Sequence, residues 1–257
     1  MPQNILKQCV RTRFAKSLYS YNNHAEVQTW MAERLIEELR SLRVSRFKSV
    51  LEIGCGSGLL TERLLKTFQI DTFWANDLVE DCQEIVSDIV RQYPQGTFTF
   101  IGGDIEHITE LPDALDLLIS NATFQWLEDL EHFLPKLQAS MKPGGILAFS
   151  TFGPRNLLEI RRLSGNSLTY LKRTEIQDLL ARHFQVIACS EELVPLMFSS
   201  PRQVLNHLRL TGVNGVSKQK WTKSDLKAFE QRYREEFGHD GQVSLTYHPV
   251  ICLVRKS

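Results

Sequence analysis

Short apolar runs alternate with amphipathic stretches between residues 49 and 151. The runs at 49–53, 72–76, 98–101, 115–120 and 146–151 have the length of buried strands, and helices are predicted over 58–68 and 79–92. The second helix places Cys82, Ile85, Val86, Ile89 and Val90 on one face. This alternation predicts an α/β fold, a doubly wound, mostly parallel sheet with helices on both faces. Before the last strand, Pro135 lacks the N–H that a helix interior needs, so it is expected to open a short helix ending near Met141. Lys142-Pro143-Gly144-Gly145 then reads as a tight turn.

Two regions lie outside that core. In 1–45, Val27, Trp30, Met31, Leu35 and Leu39 recur at helical spacing. Residues 199–239 are helical in pattern, interrupted by Gly212 and Gly215, and lie between strand candidates 184–190 and 246–254. The expected organisation is therefore an N-terminal helical lid (1–45), a core (46–198), a helical insertion contributing to the lid (199–240) and a final core strand (241–257). Such a lid would roof a cleft at the carboxyl ends of the strands.

A chain of 257 residues can bury a sizeable core. Its formal charge is zero but unevenly spread: residues 71–131 hold fourteen Asp/Glu against Arg91 alone, while 199–234 hold eight Lys/Arg against Asp225 and Glu230. The basic segment permits an acidic partner. The five cysteines, Cys9, Cys55, Cys82, Cys189 and Cys252, are scattered without C-x-x-C or His pairing, which argues against structural zinc and predicts a reduced, cytoplasmic protein. No run is apolar enough to span a bilayer, and no basic, aromatic-interleaved patch points to nucleic acid.

The chemistry concentrates in Val50-Leu51-Glu52-Ile53-Gly54-Cys55-Gly56-Ser57-Gly58-Leu59, where a strand runs into three alternate glycines and then a helix. A nucleotide-type cofactor belongs at such a strand end. The spacing Glu52-x-Gly54-x-Gly56-x-Gly58 departs from the dinucleotide G-x-G-x-x-G and resembles motif I of class I S-adenosylmethionine-dependent methyltransferases. Asp77, followed by Leu78, closes the second strand 25 residues after Glu52, where its carboxylate can accept both ribose hydroxyls. In that superfamily an acid-plus-apolar pair such as Asp104-Ile105 reads the adenine and covers its ring. The backbone carbonyl of Asn121, in Ser120-Asn121-Ala122-Thr123-Phe124-Gln125-Trp126, is placed for the methionine ammonium. The Asn/Asp-Pro-Pro-aromatic element of amino-methylating enzymes is absent. Cys55 is expected to pack rather than react.

Three further segments narrow the resemblance. Arg13-Phe14-Ala15-Lys16-Ser17-Leu18-Tyr19-Ser20-Tyr21-Asn22-Asn23-His24-Ala25, Leu208-Arg209-Leu210-Thr211-Gly212 and Leu245-Thr246-Tyr247-His248 resemble the malonyl-acyl-carrier-protein O-methyltransferases of biotin synthesis, and the similarity runs from about Arg11 to Arg255. The resemblance implies a Rossmann-like class I methyltransferase fold with a seven-stranded sheet and a helical lid. It also implies S-adenosylmethionine as methyl donor and the free carboxylate of a malonyl thioester on acyl carrier protein, or on coenzyme A, as acceptor. The methyl ester would then prime pimelate formation.

A malonyl carboxylate has a solution pKa near about 4, so it needs no general base. Catalysis then reduces to alignment and removal of water. By the resemblance, Arg209 fixes one carboxylate oxygen and Tyr21 closes over the transfer site, while Arg13 is a candidate partner for the cofactor's carboxylate. His24 and His248 are assigned structural or substrate-positioning roles, and Lys218, Lys220 and Lys223 are candidates for docking the acidic carrier. Two alternatives stay open: a methyltransferase for a free carboxylate such as trans-aconitate, whose enzymes share the Asn-Ala-x-Phe/Leu-Gln-Trp element, and a non-catalytic S-adenosylmethionine-binding partner protein.

Overall fold

A computed structural model describes residues 7–8, 11–12, 14–15, 18, 21–93, 96–165, 168–212 and 222–257. Its strands are β1 (Arg46–Ile53), β2 (Gln69–Asp77), β3 (Thr97–Gly102), β4 (Leu115–Ser120), β5 (Met141–Phe152), β6 (Gln185–Glu191), β7 (Val194–Phe198), β8 (Gly238–His239), β9 (Gln242–Tyr247) and β10 (Pro249–Arg255). Seven of them form one sheet in the order β3-β2-β1-β4-β5-β10-β6. Pairing is parallel from β3 to β5, and β10 runs antiparallel to both β5 and β6.

The helices are α1 (Glu26–Ser41), α2 (Leu59–Thr67), α3 (Cys82–Val90), α4 (Leu130–Ser140), α5 (Leu158–Ser164), α6 (Arg173–Ala181), α7 (Pro201–Leu210) and α8 (Lys223–Phe237). Consecutive strand residues face opposite sides, so one sheet feeds two cores. Val50, Leu117, Ala148 and Ile251 pack with α1, α2 and α3, while their neighbours Leu51, Leu118, Leu147 and Cys252 pack with α4 and α6. Parallel strands covered on both faces read as continuous apolar runs, and β4 is buried at every position.

A third core joins the segments proposed as a lid to this body. Val27 and Met31 of α1 meet Val204 and Leu208 of α7, Phe229 and Tyr233 of α8, and Val243, Leu245 and Tyr247 of β9. Helix α1 therefore serves both sides: Leu35 and Leu39 bury against the sheet, while the turn holding Val27 and Met31 carries the lid. Ser200 caps α7 with Pro201 in its first turn, and Thr222 and Asp225 form a capping box on α8.

Four expectations are corrected. Pro135 lies inside α4, because the helix starts at Leu130 under an Asp129 cap. Both Pro135 and Glu131, whose carbonyl loses a partner, are exposed, so water can replace the missing bond. The Lys142–Gly145 turn is absorbed into β5 as a bulge: Leu115 pairs with Met141, but Leu117 already pairs with Ile146. The run 246–254 is broken at His248, and its first part belongs to a separate three-stranded sheet, β7-β9-β8. That small sheet, with β7 in it, makes the lid mixed rather than purely helical. Among the described residues no helix is long and apolar enough to cross a membrane, and no cluster of His, Cys, Asp and Glu could hold a metal ion.

Candidate active site

β1 and β4 are neighbours, yet the chain leaves β1 toward β2 and leaves β4 toward β5. The crevice at their carboxyl ends is thus a switch point, where doubly wound sheets bind ligands. A cavity opens there, lined by Glu52 near the end of β1, Gly54, Cys55 and Gly56 of the loop that follows, Asp77 at the end of β2 with Leu78 beyond it, Asp104 and Ile105 after β3, and Asn121 after β4. Tyr21 closes it from the lid side. The strand ends thus bring nine of the expected residues together, and the turn before α1 adds Tyr21 as the tenth.

The first loop is shaped for close approach. Gly54 has φ +73°, and a Cβ there would lie 2.1 Å from Thr123 Oγ1. Its N–H and that of Cys55 donate to the Asn76 carbonyl at 2.8 and 3.0 Å. The Asn76 side chain in turn donates to the carbonyls of Ile101 and Gly103, at 2.8 and 2.9 Å, joining the ends of three strands. Gly58 departs from expectation: it does not line the cavity but opens α2 at φ +74°, where a Cβ would meet Ile89 Cδ1 at 2.1 Å.

Glu52 is buried, with Oε2 accepting from Thr61 Oγ1 at 2.7 Å and Oε1 without a partner among the described residues. Burial pushes its carboxyl up to about 8; the Thr61 bond opposes the shift and nearby Asp77 adds to it. Asp77 accepts from the N–H of Gly56 through Oδ2 and of Val79 through Oδ1, both at 2.8 Å. The Cys82 thiol and the Leu78 N–H also hydrogen-bond to this carboxylate, which fixes its orientation toward the cavity it lines. Burial raises the Asp77 carboxyl too, against these bonds. The Cys55 thiol is buried and pushed well up by that burial, which suits packing rather than reaction.

Asp104 is gripped by the N-terminal segment. Lys7 Nζ donates to Asp104 Oδ2 at 2.7 Å and also to Glu106. Burial alone would raise the Asp104 carboxyl, but the Lys7 bond and the Glu106 N–H bring it below its ordinary value. Arg11 also lines the cavity. Neither cation stands in a motif or a periodic segment, so the sequence did not mark them for the site. The Asn121 carbonyl accepts from Thr123 Oγ1 at 3.1 Å, while its side chain is fixed by Ser150 Oγ, at 2.6 Å, and by the Gln28 carbonyl, at 3.0 Å.

A second, smaller chamber adjoins the first and shares Phe14, Tyr21, Ala122 and Trp126 with it. Lid residues Thr211, Gly212 and Tyr247 close its far side. Arg209 is corrected here: it is exposed on α7, its guanidinium donates to Asn206 Oδ1 at 2.8 Å, and it lines neither chamber. Arg13, Lys218 and Lys220 lie outside the described residues.

His24 and His248 line neither chamber. His248 is buried, its Nδ1 accepting from the Arg155 N–H at 3.1 Å and its Nε2 lying 3.0 Å from Glu191 Oε2, contacts that fix the proton on Nε2. Burial holds its pKa below the usual value despite Glu191. His207 Nε2 lies 2.8 Å from the Tyr247 hydroxyl, and burial lowers His207 to about 4, so the imidazole is neutral.

A family model described as "Methyltransferase domain" matches residues 51–149. Over 251 residues the chain is 44% identical to the malonyl-acyl-carrier-protein O-methyltransferase of Chlorobium luteolum, covering 97% of this chain and 95% of that protein. Among solved structures it resembles a putative methyltransferase from Bacillus halodurans, at a TM-score of 0.63 and 14% identity over 86% of this chain and 98% of the other. It also resembles the N-methyltransferase NodS from Bradyrhizobium japonicum, solved with S-adenosyl-l-homocysteine, at a TM-score of 0.52 and 15% identity over 87% and 86%. At those identities the structural likenesses speak for the fold.

Proposed function

The chain belongs to the malonyl-acyl-carrier-protein O-methyltransferase family, and on that premise we propose that it moves a methyl group from S-adenosylmethionine to the free carboxylate of a malonyl thioester on acyl carrier protein. The ester so formed would prime pimelate formation for biotin synthesis. The observation that carries this reading is the pair of adjoining chambers, one walled by the glycine loop and carboxylates, the other without a charged lining residue among those described.

The larger chamber fits the cofactor on its own terms: a Gly54 Cβ would fill the cradle, and Glu52 Oε1 is a buried acceptor awaiting a donor. When bound, S-adenosylmethionine supplies a methyl on a positively charged sulfur. Glu52 Oε1 and the Asn121 carbonyl would take its ammonium, Asp77 its ribose hydroxyls, Asp104 its adenine amino group, and Leu78 and Ile105 the faces of its base. Arg13 keeps its proposed place at the cofactor's carboxylate.

The malonyl carboxylate is ionised at neutral pH, so no side chain has to remove a proton, and neutral His207 and His248 are not required as bases. Tyr21, in the wall between the chambers, would exclude water from the transfer path. Arg209 sits two residues from Thr211 on the outer side of the lid, and we place it with the basic surface that meets the acidic carrier. Incubation with S-adenosylmethionine and malonyl carrier protein tests the reading. The thioester should gain the mass of one methylene; an unchanged carrier alongside bound cofactor would overturn it.

A further inference from the structure

The acceptor chamber contains a hydroxyl whose hydrogen-bond polarity is fixed. Asn156 is buried, and its Oδ1 accepts from the His248 N–H at 3.2 Å. That contact turns the amide nitrogen the other way, where Nδ2 donates to the Tyr170 hydroxyl oxygen at 3.2 Å. The Tyr170 oxygen thus accepts a hydrogen bond, which leaves its own proton for an acceptor in the chamber it lines.

Charge points the same way. None of the described residues lining this chamber is lysine, arginine, histidine, aspartate or glutamate. Among the described lining residues a carboxylate would meet neutral donors; the Arg161 guanidinium acts on Tyr170 from outside that lining, and the sulfur of the bound cofactor would be the positive charge facing the chamber. Methyl transfer cancels both charges: the carboxylate oxygen forms a new C–O bond, the S–C bond breaks, its electron pair stays on sulfur, and no proton moves. A guanidinium on the carboxylate would stabilise the charged reactants more than the charge-depleted transition state, whereas a phenol orients one oxygen and leaves the other nucleophilic.

We propose that Tyr170 holds the acceptor carboxylate by donating its hydroxyl proton to one oxygen, and that Asn156 is the positioning residue that aims it. This rests on the methyl-transfer reading above and names the group that selects a carboxylate-terminated acyl chain. Tyr170 is half-buried, and its hydroxyl is held by Asn156 at the chamber wall, where a hydrogen bond to a charge counts for more than it does in open water.

The test is binding rather than turnover: the affinities of malonyl and acetyl carrier protein for the enzyme loaded either with the neutral demethylated cofactor or with a non-transferable analogue bearing an ammonium in place of the sulfonium. Wild type should prefer malonyl over acetyl, and more strongly with the cationic analogue. Tyr170→Phe should cut that preference about ten- to a hundredfold while leaving acetyl and cofactor affinities in place. Asn156→Ala should reduce it less, and Arg209→Ala should keep it. The proposal is overturned if Tyr170→Phe retains the preference, or if Arg209→Ala abolishes it and the analogue's charge has no effect. If wild type methylates no malonyl thioester at all, the functional reading fails instead, an outcome distinct from an unmoved preference.

Discussion

The Gly56 N–H donates to Asp77 Oδ2 at 2.8 Å, fastening the glycine loop after β1 to the end of β2. Asp77 is therefore both a cofactor ligand candidate and the brace of the loop that forms the cofactor's cradle. Asp77→Ala should weaken S-adenosylmethionine and its demethylated product alike, by about tenfold or more, because hydrogen bonds to a charged acceptor contribute roughly 1.5–3 kcal/mol each. Asp77→Asn, which retains one acceptor, should fall between. Calorimetry on the folded variants decides, and an unchanged dissociation constant for Asp77→Ala would remove it from the site.

Glu52 gives a pH signature. Its carboxyl stands near 8 in the folded chain, against an ordinary value of 4.5. Between those values the folded state keeps a proton that the unfolded chain has released, so stability falls as pH rises through the window and levels off above it. Glu52→Gln should flatten this slope, seen as a smaller loss of Tm from about pH 5 to about pH 9. A bound ammonium favours the ionised form, so cofactor binding near neutrality should release a proton and tighten as pH approaches 8. Parallel stability profiles for the two proteins, or buffer-independent binding enthalpies, would contradict this.

Much of this site was legible because it is local. Gly54, Asp77, Asp104 and Asn121 each lie at or within two residues of a strand end, and a strand end can be read from an apolar run and the residues that stop it. Asn76 was not legible, because its role arises only once β1, β2 and β3 lie side by side. Pro135 misled because a missing N–H tells of one bond, not of the Asp129 cap or the exposure that tolerates its loss. Arg209 was read by resemblance onto α7, but which face of that helix meets the chamber is set by Val204 and Leu208 packing against α1 and α8. Tyr170 and Asn156 lie in no periodic segment and meet only through the fold.

The cradle can be tested sterically. A Cβ on Gly54 would collide with Thr123 at Oγ1, Cγ2 and Cβ, all under 3.0 Å, on a backbone at φ +73°. Gly54→Ala should abolish measurable cofactor binding and lower stability by about 1–3 kcal/mol. Adding Thr123→Gly removes the collision but not the left-handed strain, so it should restore binding only in part. Full restoration would show that strain is unimportant; none would show that Thr123 is not the obstacle.

Docking of the carrier rests on charge outside the chambers. Lys223 and Lys227 are exposed on α8, and Lys218 and Lys220 precede them in sequence. Reversing Lys218, Lys220 and Lys223 to Glu should raise KM for malonyl carrier protein several-fold while leaving malonyl-coenzyme A nearly unchanged, and added salt should mimic the reversal. Equal losses on both substrates would place these lysines in the site or the fold rather than on a docking surface.

The central claim, that this fold methylates a carrier-bound malonyl carboxylate, is tested most directly by presenting labelled S-adenosylmethionine with malonyl carrier protein, malonyl-coenzyme A and trans-aconitate in parallel. Label should pass to the malonyl thioesters, to the carrier-bound one with the highest kcat/KM, and should come off as methanol on mild base treatment of the ester. Label on trans-aconitate with none on either malonyl thioester would contradict the account.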